Sequence, residues 1–224
     1  MPLLLYAVIE GGEPGPELPS GVAGVTIQSM KASGLRCFYA AHRILLGFDP
    51  RETALEFHRV VQAIFRAADV IPFRFPTLLA DETQLRSELQ TRAAKYHEDL
   101  ARVRGRVQME IRIEFSNGGR DEARAKLSGA EYLRTRQSRQ ATLECVAAML
   151  NRAVCGLLAD WRQHELRDQL RCFALVGRTS VTEFERVLAS AKIAPELRAR
   201  ISGPWPATAF FSEERENTPG APMS

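Results

Sequence analysis

Hydrophobic and polar positions along this chain alternate with two different periods, and the switches between them mark its elements. The cleanest stretch is VQMEIRIEF at 107–115. There Val107, Met109, Ile111, Ile113 and Phe115 alternate with Gln108, Glu110, Arg112 and Glu114. Period two over nine residues predicts a strand with one buried face and one wet or differently covered face. Leu170 to Val176 predicts another strand, a weaker one is expected around Arg162 to Leu166, and Leu197 to Ser202 alternates again. Between them the stripe Leu143, Val146, Leu150, Val154, Leu157, Trp161 predicts a helix from about Gly129 to Ala159. A shorter helix carries Val181, Phe184, Val187 and Leu188, with Ser180 and Glu183 at capping-box spacing. The resulting order, β-α-β-β-α-β, is the ferredoxin-like split βαβ plan.

The first half reads less regularly. Leu3 to Ile9 predicts a strand, and Val25–Met30 with Leu35–Ala40 predicts a hairpin turned at Lys31–Gly34. Asp49 followed by Pro50 is a helix start: the carboxylate caps, and proline suits the first helical position. Phe57, Val60, Val61, Ile64, Phe65 and Ala68 then keep helical spacing. The run Val70 to Glu82 holds Pro72 and Pro76, which demote it to an edge or bent strand. Asp81 caps a further helix with the stripe Leu85, Leu89, Ala93, Tyr96, Leu100, Val103, and Gly105 ends it. The expected fold class is α+β in two small domains. Residues 1–105 form a small sheet with helices, 106–211 form the ferredoxin-like domain, and the polar 212–224 form a disordered tail.

Composition narrows the function more than it names one. The 224 residues are 45% hydrophobic and 25% charged, as in an ordinary globular protein. A net charge of +3 is too small to imply a nucleic-acid partner. No apolar run is long enough to span a bilayer, and the apolar start lacks a basic flank, so a cytoplasmic protein with no membrane partner is expected. The cysteines Cys37, Cys145, Cys155 and Cys172 form no metal-binding spacing and read as buried reduced thiols. No phosphate loop, HExxH, GxSxG or calcium loop occurs, so no catalytic residue, cofactor or metal is expected. The basic cluster Arg120 to Arg139 is interspersed with Asp121, Glu122 and Glu131, and reads as a solvated helix face.

Some residues stand out as candidates for contact. Arg74 lies between Phe73 and Phe75 and two prolines, a setting that calls for a carboxylate partner. His58 sits in a helix, where a hydrogen-bonding role is more common than catalysis. Asp81 reads first as a helix cap. Gly203-Pro204-Trp205-Pro206 cannot be helix and does not suit a central strand, so it is a shaped connection that aims Trp205 and holds the C-terminus on the body.

Three stretches together resemble the gas vesicle protein GvpL/GvpF family. HRVVQAIFRAADVIPFRFPTLLADETQL (58–85) is similar to its histidine-bearing helix leading into a hydrophobic-Pro-x-Arg-Phe-Gly-Thr segment, an acidic pair and a helix. SGAEYLRTR (128–136) is similar to the start of its long helix, and ISGPWPATAFF (201–211) to its C-terminal Gly-Pro-Trp-Pro-Pro-Tyr-Ser-Phe element. With LLLYAVIE at the N-terminus, the resemblance spans all but the tail. Pro76 departs from the family glycine, and Ala207-Thr208-Ala209 departs from Pro-Tyr-Ser. The resemblance implies a non-enzymatic accessory or minor structural protein of the gas vesicle. Its partners would be the hydrophobic shell protein and other accessory proteins, and its fold two α+β domains, the second ferredoxin-like. It points to His58, Phe73, Arg74, Phe75, Asp81, Trp205 and Phe210 as interaction or domain-clamping residues. The competing reading is a ferredoxin-like module that senses a small ligand, supported by fold analogy alone.

Overall fold

The computed structural model describes residues 1–12, 17–42, 49–116, 128–166 and 169–211. Strands β1 (Leu3–Glu10), β2 (Gln28–Ala32) and β3 (Leu35–Ala41) begin the chain, followed by helix α1 (Pro50–Ala67). Two short strands, β4 (Ile71–Pro72) and β5 (Leu78–Leu79), lead to α2 (Glu82–Thr91) and α3 (Ala93–Val103). The second half runs β6 (Arg106–Phe115), α4 (Gly129–Val154), β7 (Leu158–Leu166), β8 (Gln169–Gly177), α5 (Val181–Ala189) and β9 (Leu197–Trp205).

Two antiparallel sheets result. The first has the order β2-β3-β1-β4, with β5 also on β1. The second has the order β7-β8-β6-β9, with the first and last strands of the split plan flanking each other. The prolines of the 70–82 run act as anticipated: the segment pairs with β1 only in two-residue pieces, Ala7–Pro72 with Val8–Ile71 and Leu3–Leu79 with Leu4–Leu78. Strand β1 is buried on both faces, with α1 covering one and α2 and α3 the other, which explains its uninterrupted apolar run.

Four expectations need correction. The helix after Asp81 breaks at Arg92 (φ −102°, ψ 10°) into α2 and α3, while the buried stripe Leu85, Leu89, Tyr96, Leu100 continues across the break. The long helix stops at Val154, and Trp161 lies in β7 rather than on a helical stripe. Ser180 makes no side-chain cap; Glu183 instead binds Arg186, at 2.6 and 2.9 Å, within α5. Cys37 and Cys172 are buried, but Cys145 and Cys155 are exposed on and just after α4. The genuine capping box is at Ser128, whose hydroxyl and backbone engage Glu131. Arg134, Arg136 and Arg139 lie on α4, whereas Arg120, Arg124, Lys126 and the 212–224 tail fall outside the described residues.

One hydrophobic cluster runs through both halves, from Leu4 and Tyr6 on β1 through α1 to the inner face of the second sheet under α4 and α5. The end of α1 is clasped from the second half. Arg178 donates to Phe65 O (3.1 Å), Ala68 O (3.2 Å) and Asp69 Oδ1 (3.3 Å), with its guanidinium over the Phe65 ring at 4.5 Å. The other Asp69 oxygen accepts from Gly105 N at 2.7 Å, at the turn where the chain crosses between halves. Gly105 has φ +65°, a conformation that favours glycine there.

Candidate functional site

The middle of α1 meets the second half differently. Here the junction opens into a cleft of about 280 Å³, lined by Phe57, His58, Val61 and Gln62 from α1 and by Pro72 and Phe73 from the β4 segment. Gln108 and Glu110 of β6 and Trp205, Pro206 and Thr208 at the end of β9 form the opposing wall. The geometry of β9 makes this wall. Gly203, at φ +134°, takes a backbone conformation closed to most residues, and a Cβ there would sit 2.8 Å from Met109 Sδ. The register against β6 shifts between Gln108 and Glu110, and the bulge turns Trp205 opposite Gln108. Trp205 therefore ends an edge strand, where its flanking prolines are tolerated.

The His58 ring lies 6.1 Å from the Trp205 ring, so the two halves touch across the cleft through aromatic faces. Trp205 is half-buried, with its indole N–H at 3.5 Å from Ser202 Oγ. Gln62 stands out in the cleft: its side-chain nitrogen is buried and has no hydrogen-bond partner among the described residues. A buried donor left unmade costs about 1–3 kcal/mol, so the position suits a carbonyl oxygen entering the cleft. Glu110 forms the charged corner. Arg171 binds it through two 2.8 Å bonds, which, with Arg112 at 3.5 Å, hold its carboxyl below the ordinary carboxylate range. A depressed carboxylate stabilises the fold above its unfolded pKa, and that contribution is lost as acid titrates the folded group. At neutral pH the corner stays charged.

The sequence candidates divide into groups. The fold brings His58, Phe73 and Trp205 together in the cleft. Phe75 lies beneath it, 5.2 Å from the Phe57 ring, which itself stacks on Tyr6 at 5.0 Å. Arg74 is exposed rather than enclosed by its apolar neighbours, and its carbonyl accepts from Thr77 Oγ1 at 2.6 Å. Asp81 caps α2 through Gln84 N at 2.9 Å. Neither Arg74 nor Asp81 lines the cleft. Phe210 is fully buried with Val103, Leu175 and Ala207. It fastens the C-terminal segment, helped by Gln108 Oε1, which accepts from Ala209 N at 2.8 Å, and by Arg162, which donates to Ala209 O at 2.6 Å. In the C-terminal segment Pro206, Ala207 and Phe210 are buried, while Trp205 is half-buried. Gln62 and Gln108 carried no sequence signal, since a glutamine on a helix or strand reads as solvated. A larger trough of about 570 Å³ along α4 involves none of the sequence candidates. Among the described residues no group of side chains is arranged to hold a metal, and no helix is long and apolar enough to cross a membrane.

These features define an α+β protein of two antiparallel sheets with an open cleft where its halves meet. Over residues 2–212 the chain matches the sequence model of the gas vesicle synthesis protein GvpL/GvpF family, and it belongs to that family. Its fold is similar to that of the gas vesicle protein GvpF from Anabaena sp. PCC7120, with a TM-score of 0.76 at 17% identity over 96% of this chain and 99% of that one. GvpF from Microcystis aeruginosa is similar to the same degree, with a TM-score of 0.76 at 15% identity over 95% of this chain and 99% of that one. No curated protein matches the sequence.

Proposed function

We propose that this protein is a non-catalytic accessory or minor structural component of the gas vesicle, acting in the cytoplasm and at the vesicle. It holds shell and other accessory proteins during assembly. The observation that carries the reading is the cleft: an aromatic junction with a buried Gln62 side-chain nitrogen that has no partner among the described residues, in a chain of this family. Apolar walls suit the side chain of an aggregation-prone subunit, and the amide suits its backbone carbonyl. We read the chain as two domains, 1–105 and 106–211, with the cleft as the contact surface between them and His58, Phe73 and Trp205 as its contact residues.

The test is co-expression with a gas vesicle shell protein followed by affinity capture, alongside deletion of the gene in a vesicle-forming host. Capture, together with loss or malformation of vesicles on deletion, supports the reading. No association with normal vesicles after deletion overturns it. A small effector would instead raise the melting temperature of the isolated protein.

A further inference from the structure

The outer face of the second sheet carries a charge pattern visible only once the strands are in register. Arg112 of β6 stands directly opposite Arg171 of β8 on one side and Arg200 of β9 on the other. On β7, His164 stands directly opposite Arg171. One row crossing all four strands therefore reads His164, Arg171, Arg112, Arg200. Arg198 follows in the next row, opposite Glu114.

Like charges directly opposite one another destabilise a sheet. This sheet has two such arginine pairs side by side, so stability alone does not account for the row. Acidic neighbours offset it in part: Glu110 grips Arg171 and reaches Arg112, and Glu114 lies 3.3 Å from Arg200. Among the described residues the four strands place Arg106, Arg112, Arg162, Arg171, Arg198 and Arg200 on this face against Asp160, Glu110 and Glu114, six positive minus three negative, a surplus of three. The side chains of Arg112 and Arg200 remain 45% and 60% exposed. Glu110 holds Arg171 in a two-bond clamp and so pre-orders the centre of the row.

We propose that this row is a docking surface for a protein partner that presents an acidic face on an α-helix lying across the strands. Spacing selects the helix. Neighbouring strands are about 4.8 Å apart, so four positions span roughly 14 Å. Carboxylates on one face of a helix recur about every 5.4 Å, or roughly 16 Å for three turns. Same-face residues of an extended peptide recur about every 6.8 Å, or roughly 20 Å over three steps, and drift out of register. Arginine also suits carboxylates through its planar donor fork. A single-stranded nucleic acid fits less well: such sites interleave stacking aromatics with their cations. Here Phe173 lies under the Arg171 guanidinium at 5.2 Å, and Trp205 is in the cleft. The row adjoins the cleft through Glu110, which lines the cleft and clamps Arg171, but its arginines lie outside the cleft lining and the proposal does not depend on the assembly reading.

The full chain is titrated, at low salt and by fluorescence anisotropy, with a capped alanine-based helical peptide of about 16 residues bearing four glutamates at i, i+4, i+7 and i+11. The controls are a peptide of identical composition with the glutamates spread around the helix and an oligo-dT of similar length. The facial peptide is expected to bind at least about tenfold tighter than the scattered one and to weaken as salt rises. Arg112→Glu with Arg200→Glu is expected to reduce binding at least about tenfold. Should the reversals disturb folding, judged by melting, Arg112→Gln with Arg200→Gln serves instead, with a smaller loss expected. Equal binding of the two peptides, no binding of either, indifference to the substitutions, or tighter binding of the oligonucleotide each overturns the proposal.

Discussion

Helix α1 meets the second half of the molecule twice, and the two meetings differ in kind. At its C-terminal end every group of the clasp described above has a partner: Arg178 serves two carbonyls and a carboxylate, and Asp69 also receives the Gly105 amide. One to two turns earlier the same helix leaves a gap, with His58 and Trp205 facing across it and the Gln62 nitrogen without a partner among the described residues. Closed contacts of the first sort maximise stability, since a satisfied network leaves no buried polar group unpaired. The open contact leaves interaction energy unrealised. Proteins keep such sites where something else binds, because activity and maximal stability compete for the same residues.

The comparison can be broken by substitution, beginning with the closed contacts. Phe210 is fully buried, and Phe210→Ala should destabilise the fold by about 3–5 kcal/mol. Chemical denaturation reads this directly. A loss under about 1 kcal/mol would mean that the C-terminal segment is not fastened there. Arg178→Ala comes next, at about 2 kcal/mol, because charged hydrogen bonds to two carbonyls and Asp69 disappear together. With about 2–4 °C of melting temperature per kcal/mol at this size, the drop should be roughly 4–8 °C. Trp205→Ala is expected to behave otherwise. Its ring is only half-buried, so stability should fall by no more than about 1.5 kcal/mol while shell-protein capture is lost. If Trp205→Ala melts as low as Phe210→Ala, the cleft belongs with the closed contacts and the contrast collapses.

Local chemistry was readable at several points where it acts within a few residues, though not at Ser180 or Arg92. The strict alternation of 107–115, the Asp49-Pro50 helix start and the two prolines of 70–82 each work over that range, and each appears as read. The split βαβ order followed from period changes and cap signals. Long-range consequences were not legible. The Arg171–Arg112–Arg200 row joins residues up to 88 positions apart (200 − 112), and only strand register aligns them. The cleft was half legible: His58, Phe73 and Trp205 could be named, but not that one cavity would gather them while Arg74 and Asp81 stayed outside. Gln62 was invisible because its significance is a missing partner, and sequence patterns record groups rather than what surrounds them.

The smallest expected effect is the sharpest discriminator. Gln62→Met keeps the length of the side chain and helical propensity and removes the unpaired amide. If the nitrogen is orphaned because a partner's carbonyl normally meets it, the isolated protein should be unchanged or gain up to about 1 kcal/mol, since an unsatisfied donor is replaced by an apolar group. Capture of the shell protein should weaken at the same time. Equilibrium unfolding and capture, measured on the one variant, therefore move in opposite directions. A purely structural glutamine, satisfied by water in solution, would move them the other way: stability would fall by about 1 kcal/mol or more and capture would hold. Open and closed contacts along α1 thus differ in the sign of a single substitution, a distinction that does not depend on how large either effect is.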